Sequence, residues 1–391
     1  MDSRVTGYYE SAVAGGEEVA AFVPHPLPPA EPPLAVSGRI ADRLGEATRA
    51  LARLEVAGEM VPSTDWFLYA FVRKEAVISS QIEGTQASLV DLLNYEAAEE
   101  AVPSPDIEEI ANYIDAQGFA RNQLNDEDGL PLSVRLLNET HRVLMRGVRG
   151  ANKQPGQVRR SQNWIGGTRP GNAAFVPPPP QRLPDLLGDL EKYLHGNDKL
   201  PPLIRVGLLH AQFETIHPYL DGNGRIGRLL ISLLLEHWGL LDTPLLYLSL
   251  YLKRHQSEYY RRLEAIRTEG DWEGWIEFFL EGVTATAEEA VGSARELFAL
   301  LSADRHRLLE GRSASVTALR LLEELPRHPI VTVASAMRLL DASKPTATRA
   351  IEALEENGIL TETTGRKRGR SFVYRAYLDR LRTGTELDET P

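Results

Sequence analysis

The chain has no cysteine in its 391 residues, which excludes disulfides, thiolate metal sites and cysteine nucleophiles together. Any catalyst must be built from histidine, carboxylates, hydroxyls or a metal held through oxygen. Long hydrophobic runs are missing too: no window approaches eighteen consecutive apolar residues, and the start MDSRVTGYYESAVAGGEE has no apolar core of the kind a signal peptide needs. A cytoplasmic protein that stays off the membrane is therefore expected. Positive charge is short, with 43 Lys and Arg against 55 Asp and Glu and a net charge of −12. That disfavours nonspecific nucleic-acid binding by the whole surface and leaves only a local basic patch for such a role. Long internal repeats are absent, and the one biased tract is the proline-rich arm FVPHPLPPAEPP (22–33). Proline fixes φ and removes amide donors, so an extended arm lying across the body is expected there, neither helix nor strand.

What is present is ordinary in composition, 42% hydrophobic and 25% charged, as in folded globular proteins. The length calls for two or three domains. Apolar residues recur at helical spacing in 37–59 (Ile40, Leu44, Leu51, Leu54) and in 65–80 (Phe67, Ala70, Phe71, Ala76), so both segments read as helices. Further amphipathic helices are expected over about 88–100, 106–124, 133–147, 182–196, 203–215, 252–268 and 271–300. The stretch 226–238 is apolar nearly all round and should run through the domain centre. Within 156–180, Val158, Trp164, Ile165, Phe175 and Val176 flank the turn signal GTRPGN, which reads as a β-hairpin or flap. Charged residues over 302–312 suggest a hinge before a second domain. Beyond it come helices at 316–324, 331–340 and 346–357 and two short strands around GRKRG (365–369), the order of a winged helix-turn-helix. The fold class expected is mainly α, with domains at 1–100, 101–300 and 313–382.

The segment HPYLDGNGRIGR (217–228) carries the chemistry. Asp221, Gly222, Asn223 and Gly224 form a short loop that leads into a helix, so unpaired backbone amides converge at a positive dipole end that suits phosphate. The two glycines allow close backbone approach, and Arg225 and Arg228, three apart, share a helix face and can clamp more phosphate oxygens. Asp221 is placed to hold Mg²⁺ (or Mn²⁺) between phosphates, and His217 to take a proton from an attacking hydroxyl. A lone histidine before proline, or a lone Gly-Asn-Gly turn, is more often plain structure. A plain turn has no use for two spaced arginines.

This segment resembles the signature of the Fic family, HPFx(D/E)GNGRxxR, with Tyr219 in place of the usual Phe. The resemblance covers roughly residues 20–300. It implies a Fic-like helical core with a β-hairpin flap, and transfer of AMP from ATP to Ser, Thr or Tyr hydroxyls of a target protein. It implies His217 as base, Asp221 as Mg²⁺ ligand, and an anion hole and phosphate site formed by Gly222, Asn223, Gly224, Arg225, Ile226, Gly227 and Arg228. By the same resemblance Tyr259 and Tyr260 approach the adenine, although Arg267 stands where related chains have asparagine. The stretch SSQIEG matches the family's inhibitory pattern through Ser79, Glu83 and Gly84, which implies that Glu83 pairs with Arg228 and removes the γ-phosphate clamp. Read by itself, the same stretch is a helix stopped by Gly84. Gly167, Thr168, Phe175 and Val176 could register a target strand by main-chain pairing, or form an ordinary surface hairpin.

Between 361 and 382, Arg366, Lys367, Arg368, Arg370, Arg375, Arg380 and Arg382 face only Glu362 and Asp379. With Lys344 and Arg349 they suit duplex phosphates, but Glu352, Glu355 and Glu356 on the same candidate recognition helix would repel DNA. DNA binding and a protein-interaction or dimer module both remain open. So do two alternatives to the adenylyl transferase, a nucleotide-sensing transcriptional regulator and an enzyme that also removes AMP with Glu83 taking part. The target, the modified hydroxyl and the oligomeric state, including a homodimer, are not encoded in any motif.

Overall fold

The computed structural model describes residues 4–59, 64–97, 102–147, 153–365 and 369–387, and they are mostly α-helical. The chain opens with an antiparallel hairpin, β1 (Gly7–Ala14) and β2 (Glu17–Pro24), in register from Gly7 opposite Pro24 to Ala14 opposite Glu17. Gly15 and Gly16 turn it at φ of 55° and 85°, values that a two-residue hairpin needs and glycine adopts without strain. The proline arm therefore starts inside a strand at Phe22, Val23 and Pro24, and only the remainder is irregular. The Gly-Gly pair between β-prone runs was the signal for the hairpin. Arg4 ties this end down with a bidentate contact to Glu273, at 2.7 and 2.8 Å.

The helical body follows as α1 (Arg39–Glu59), α2 (Thr64–Ile82), α3 (Leu89–Ala97), α4 (Pro105–Asn125), α5 (Val134–Leu144) and α6 (Leu183–His195). Serine N-caps start two of these: Ser104 accepts from the Ile107 amide at 3.3 Å and Ser133 from that of Leu136 at 3.2 Å. At the centre lie α7 (Pro202–Ile216) and α8 (Asn223–His237), both buried almost all round. The expected helix at 252–268 is two, α9 (Ser249–Arg254) and α10 (Gln256–Glu269), broken at His255. Then comes α11 (Trp272–Glu310), N-capped by Asp271, whose Trp275 indole donates to the Gly207 carbonyl of α7 at 2.9 Å.

No hinge interrupts 302–310, because α11 continues unbroken to Glu310 and the chain turns only at 311–313. The physical reason is a buried stripe that outlasts the charged pattern. Leu297, Asp304 and Leu308 all face inward, and Asp304 accepts from the buried Tyr374 hydroxyl at 2.6 Å. The C-terminal unit runs α12 (Val316–Glu324), β3 (Ile330–Thr332), α13 (Val333–Leu340), α14 (Lys344–Glu356), β4 (Thr361–Glu362), β5 (Ser371–Val373) and α15 (Arg375–Leu381), with strand order β3-β5-β4, antiparallel. The segment read as helix 331–340 thus begins as a strand, since Val331 pairs with Phe372. Arg366, Lys367 and Arg368 lie outside the described residues, as does the end of the helix expected at 88–100. Among the described residues, no helix is long and apolar enough to cross a membrane.

Candidate functional site

Helix α7 stops at Ile216 because the next two residues are His217 and Pro218, and proline cannot continue it. His217 takes the left-handed conformation, φ 49° and ψ 63°, uncommon for a residue with a side chain and a mark of an over-determined site. Arg159 holds it there. Its Nε donates to the His217 carbonyl at 2.9 Å, its amide to the Pro218 carbonyl at 2.9 Å, and its Nη2 to the Pro178 carbonyl at 2.6 Å. The His217 Nδ1 is shielded from solvent, on the side of the Glu214 backbone. Burial, and after it the Arg159 charge, push its pKa down to about 4, so the ring is neutral and able to accept a proton at physiological pH.

The loop after it closes on itself. The Tyr219 amide donates to Asn223 Oδ1 at 2.8 Å, and Asn223 Nδ2 donates back to the Tyr219 carbonyl at 2.8 Å. Asn223 is thus spent on loop shape. The hydroxyl that distinguishes Tyr219 from phenylalanine donates to Asn138 Oδ1 at 2.8 Å, and its ring stacks on His141 with centroids 3.9 Å apart. His141 Nδ1 accepts from the Gly156 amide at 2.8 Å, so the ring proton sits on Nε2 and is donated to the Asp221 carbonyl at 3.0 Å. Burial pushes His141 down to about 4, which keeps this tautomer neutral. Asn138, His141, Arg159 and Glu214 carry no family pattern that composition or spacing reveals. They were legible only once α5, the segment after it and α7 came together.

Gly222, at φ 76°, turns the chain into α8. The Asp221 carboxylate, 42% exposed, accepts from the Gly222 amide at 2.6 Å and lies 3.6 Å from Arg225. Among the described residues no group of three or more His, Asp or Glu could hold a metal by itself. One accessible carboxylate fits an ion whose other ligands are phosphate oxygens and water. Arg225 is buried, with Nε and Nη1 lacking hydrogen-bond partners and Nη1 3.6 Å from Glu109. Unpaired buried donors of this kind are costly unless a ligand meets them. Ile226 faces the core, so only its backbone can serve a ligand, and Gly227 makes room for Glu214, whose Oε1 lies 2.2 Å from where a Cβ would be.

Arg228 is occupied from the other side. Its Nε donates to Ser79 Oγ at 2.9 Å, and its Nη2 to the Ser79 carbonyl at 2.9 Å and to Glu83 Oε1 at 2.7 Å. Burial is the largest influence on the Glu83 carboxyl and would raise it, but the Arg228 charge, the Arg228 hydrogen bond and the Arg225 charge together outweigh it, and the net shift is downward. Gly84, at φ 95°, turns the chain away after α2. A Cβ on Gly224 would lie 2.1 Å from Glu83 Oε1 and 2.9 Å from Arg228 Nη1. The carboxylate therefore sits in the space that the missing side chain leaves at the α8 N-terminus, where an anion is favoured. Gly224→Ala is expected to expel Glu83 from Arg228 and also to fill the anion position. Calorimetric titration with ATP should then show weakened binding, by about tenfold or more for a displaced phosphate contact.

A cavity of about 440 Å³ is lined by Glu83, Glu214, His217, Gly224, Arg228 and Tyr260 among others. Glu214, one helical turn before His217, is pushed up to about 7 by burial, and its Oε1 has no partner. Tyr259 and Tyr260 divide. The Tyr259 hydroxyl bonds His210 Nε2 at 3.0 Å beneath α8, while Tyr260 is 48% exposed at the cavity mouth. Arg267 lies 3.9 Å over the Phe175 ring. The flap is slighter than a hairpin of strands, a single bridge in which Ile165 and Phe175 exchange amide bonds at 2.8 and 3.1 Å. Gly167 and Thr168 are turned outward around the Asn172 side chain, which accepts from the Thr168 amide at 3.0 Å. The Val176 carbonyl already accepts from the Phe22 amide of β2 at 3.0 Å, so that one carbonyl is paired within the chain.

Comparison with known proteins bears on this arrangement. Two sequence profiles match, described as "Fic/DOC family N-terminal" over residues 41–122 and "Fic/DOC family" over 131–235. A probable protein adenylyltransferase of Aquifex aeolicus is 39% identical over 70 residues, 18% of this chain and 22% of that protein. The protein adenylyltransferase Fic of Drosophila erecta is 28% identical over 211 residues, 53% of this chain and 39% of that protein. The chain thus spans well under half the length of these curated relatives. In fold it is similar to the crystal structure of a Fic family protein from Desulfovibrio desulfuricans, with TM-score 0.58 and 22% identity, covering 88% of this chain and 98% of that one.

Proposed function

We propose, for a chain that belongs to the Fic/DOC family, that it transfers AMP from ATP to a Ser, Thr or Tyr hydroxyl of a target protein and is held in check by Glu83. The observation that carries this reading is the meeting in one cavity of a neutral buried histidine, Gly224 at the α8 N-terminus and Arg228. His217 takes the hydroxyl proton, the hydroxyl oxygen bonds to the α-phosphorus, the α–β bridge bond breaks, and pyrophosphate leaves. The amides from Gly222 to Gly224 receive phosphate oxygens, and Arg225 and Arg228 hold the β and γ phosphates, with Ile226 and Gly227 contributing backbone. Asp221 would hold Mg²⁺ or Mn²⁺, which when bound offsets phosphate charge. Tyr260 flanks the base, Tyr259 supports α8, and Gly167, Thr168, Phe175 and Val176 mark the side on which the target segment docks. Incubation with ATP labelled at the α-phosphate should label protein, whereas γ-labelled ATP should not. Label from the γ-phosphate alone would refute AMP transfer.

The working division is an N-terminal arm and inhibitory region (1–100), a catalytic core (101–300) and a winged helix unit (313–382), in a cytoplasmic protein. A second reading, a nucleotide-sensing regulator that holds DNA, draws support from that unit's order of elements and from Lys344 and Arg349, both exposed on α14. Against it, Glu352 is exposed on the same helix, and Arg370 is already 3.6 Å from Glu355. The full chain should give no salt-dependent gel shift with duplex DNA if the unit serves protein contact or dimerisation. Retention that weakens steeply with salt would favour the regulator.

A further inference from the structure

The inhibitory stretch SSQIEG contains a residue that its pattern leaves unassigned. Gln81 lies between Ser79 and Glu83 in the last turn of α2, and its side chain reaches away from the cavity, toward the C-terminal end of the described chain. Its Nε2 donates to the Thr385 carbonyl at 3.0 Å and to the Ala87 carbonyl at 3.0 Å. Its Oε1 accepts from Lys253 Nζ of α9 at 3.0 Å, and the same ammonium donates to the Glu386 carbonyl at 2.9 Å. Gln81 and Lys253 thus close a ring of polar contacts in which the segment 384–387 is one side.

That segment is seated firmly. Thr385 is buried, and its amide and hydroxyl both donate to the Arg382 carbonyl, at 2.8 and 2.7 Å. Gly384, at φ 84°, lies so close to α9 that a Cβ would meet Leu250 at 2.6 Å. Just before it, α15 buries Tyr377, Leu378 and Leu381, and the Tyr377 hydroxyl donates to the Pro326 carbonyl at 3.2 Å, so the tail is continuous with the C-terminal unit. On the other side of Gln81 the turn that presents Glu83 is short. Its amide bonds are Glu83 to Ser80 at 3.0 Å, Gly84 to Gln81 at 2.9 Å and Thr85 to Ser80 at 3.2 Å. Helix ends held by so few bonds fray unless side chains secure them.

We propose that Gln81 and Lys253 are positioning residues for Glu83, and that the tail at 384–387 is the third part of the same latch, coupling the C-terminal unit to the brake on Arg228. The inference rests on the reading of Glu83 as inhibitor. A carboxylate only holds Arg228 at 2.7 Å if its turn is fixed, and the tail fixes that turn from outside the cavity. Freeing the tail lets the turn fray, Glu83 leaves Arg228 more often, and phosphate gains the arginine.

The test uses the full chain, a chain ending at Thr383, and Lys253→Met with Lys253→Arg as the conservative rescue. Hydrogen exchange at the Glu83, Gly84 and Thr85 amides should speed up by about tenfold in the truncated and methionine forms and return toward the original rate with arginine. Labelling from α-labelled ATP should rise in parallel, and truncation should add nothing in a Glu83→Gly background. Lys253→Met alters no residue of the C-terminal unit, so a matching result from it sets unfolding of that unit aside. Unchanged exchange at the three amides in both variants overturns the proposal. Should Glu83→Gly show no transfer at all, the adenylyl reading falls, while the exchange result still decides whether the tail holds the turn.

Discussion

His217→Ala is expected to lower AMP transfer by about 100- to 10,000-fold, the range for loss of a positioned general base, while ATP binding by calorimetry changes little. The split follows from geometry. His217 caps α7 and contributes its ring to the cavity, whereas the proposed phosphate donors lie on α8, whose preceding loop is shaped by Asn223 and His141. Backbone contacts from Arg159 to His217 and Pro218 survive the substitution because they use carbonyl oxygens, so the loop should stay in place. A loss of ATP affinity as large as the loss of rate would show that the ring shapes the site and does no proton transfer. The pH profile gives a second check. Burial and Arg159 put the His217 pKa at about 4, so the base remains deprotonated through the range where a free imidazole would titrate. Transfer in a Glu83→Gly background should therefore stay level as pH falls from 8 toward 6, and decline only in more acidic solution.

Glu83→Gly should raise labelling from α-labelled ATP by about five- to 150-fold, the span of typical coupling energies between an inhibitory contact and a ligand site. On the proposed reading, Glu83 and phosphate would compete for one guanidinium. Arg228 is buried, with 2% of its side chain exposed against 35% for Glu83, so the arginine stays in position while its partner can leave. The freed arginine keeps its two bonds to Ser79 and points its remaining donors at the cavity. Unchanged or lower labelling would count against inhibition by Glu83. If Glu83 instead serves AMP removal, pre-labelled protein should lose its label slowly in the original chain and not at all in the variant. Regulation would then be a reversible cycle instead of a lock, with the same two residues at its centre.

Much of this was present in the chain as a string. The helices α1, α2, α6, α7 and α12 follow from apolar spacing that their own residues carry, and the twelve residues from His217 to Arg228 announce a phosphate site because glycine, acid and arginine at those spacings serve no plain turn. The pairing of Glu83 with Arg228 was readable only through the family pattern, and the geometry places the two at 2.7 Å. Tertiary structure decided the rest. Charged residues over 302–312 looked like a hinge, but α11 runs through 302–310 because Asp304 finds the Tyr374 hydroxyl, 70 residues away in sequence. The pattern at 156–180 reads as a β-hairpin or flap; the fold closes it with the single antiparallel bridge of Ile165 and Phe175, and ties Val176 to Phe22 of β2, a contact that no local pattern shows. Local sequence determines which segments can be helical and which loop can cradle phosphate, since those choices depend on neighbours within a few residues. Which buried group meets which partner, His141 with the Asp221 carbonyl or Gln81 with Thr385, is set by the packing of distant segments, because a hydrogen bond is satisfied by whatever the fold brings within 3 Å.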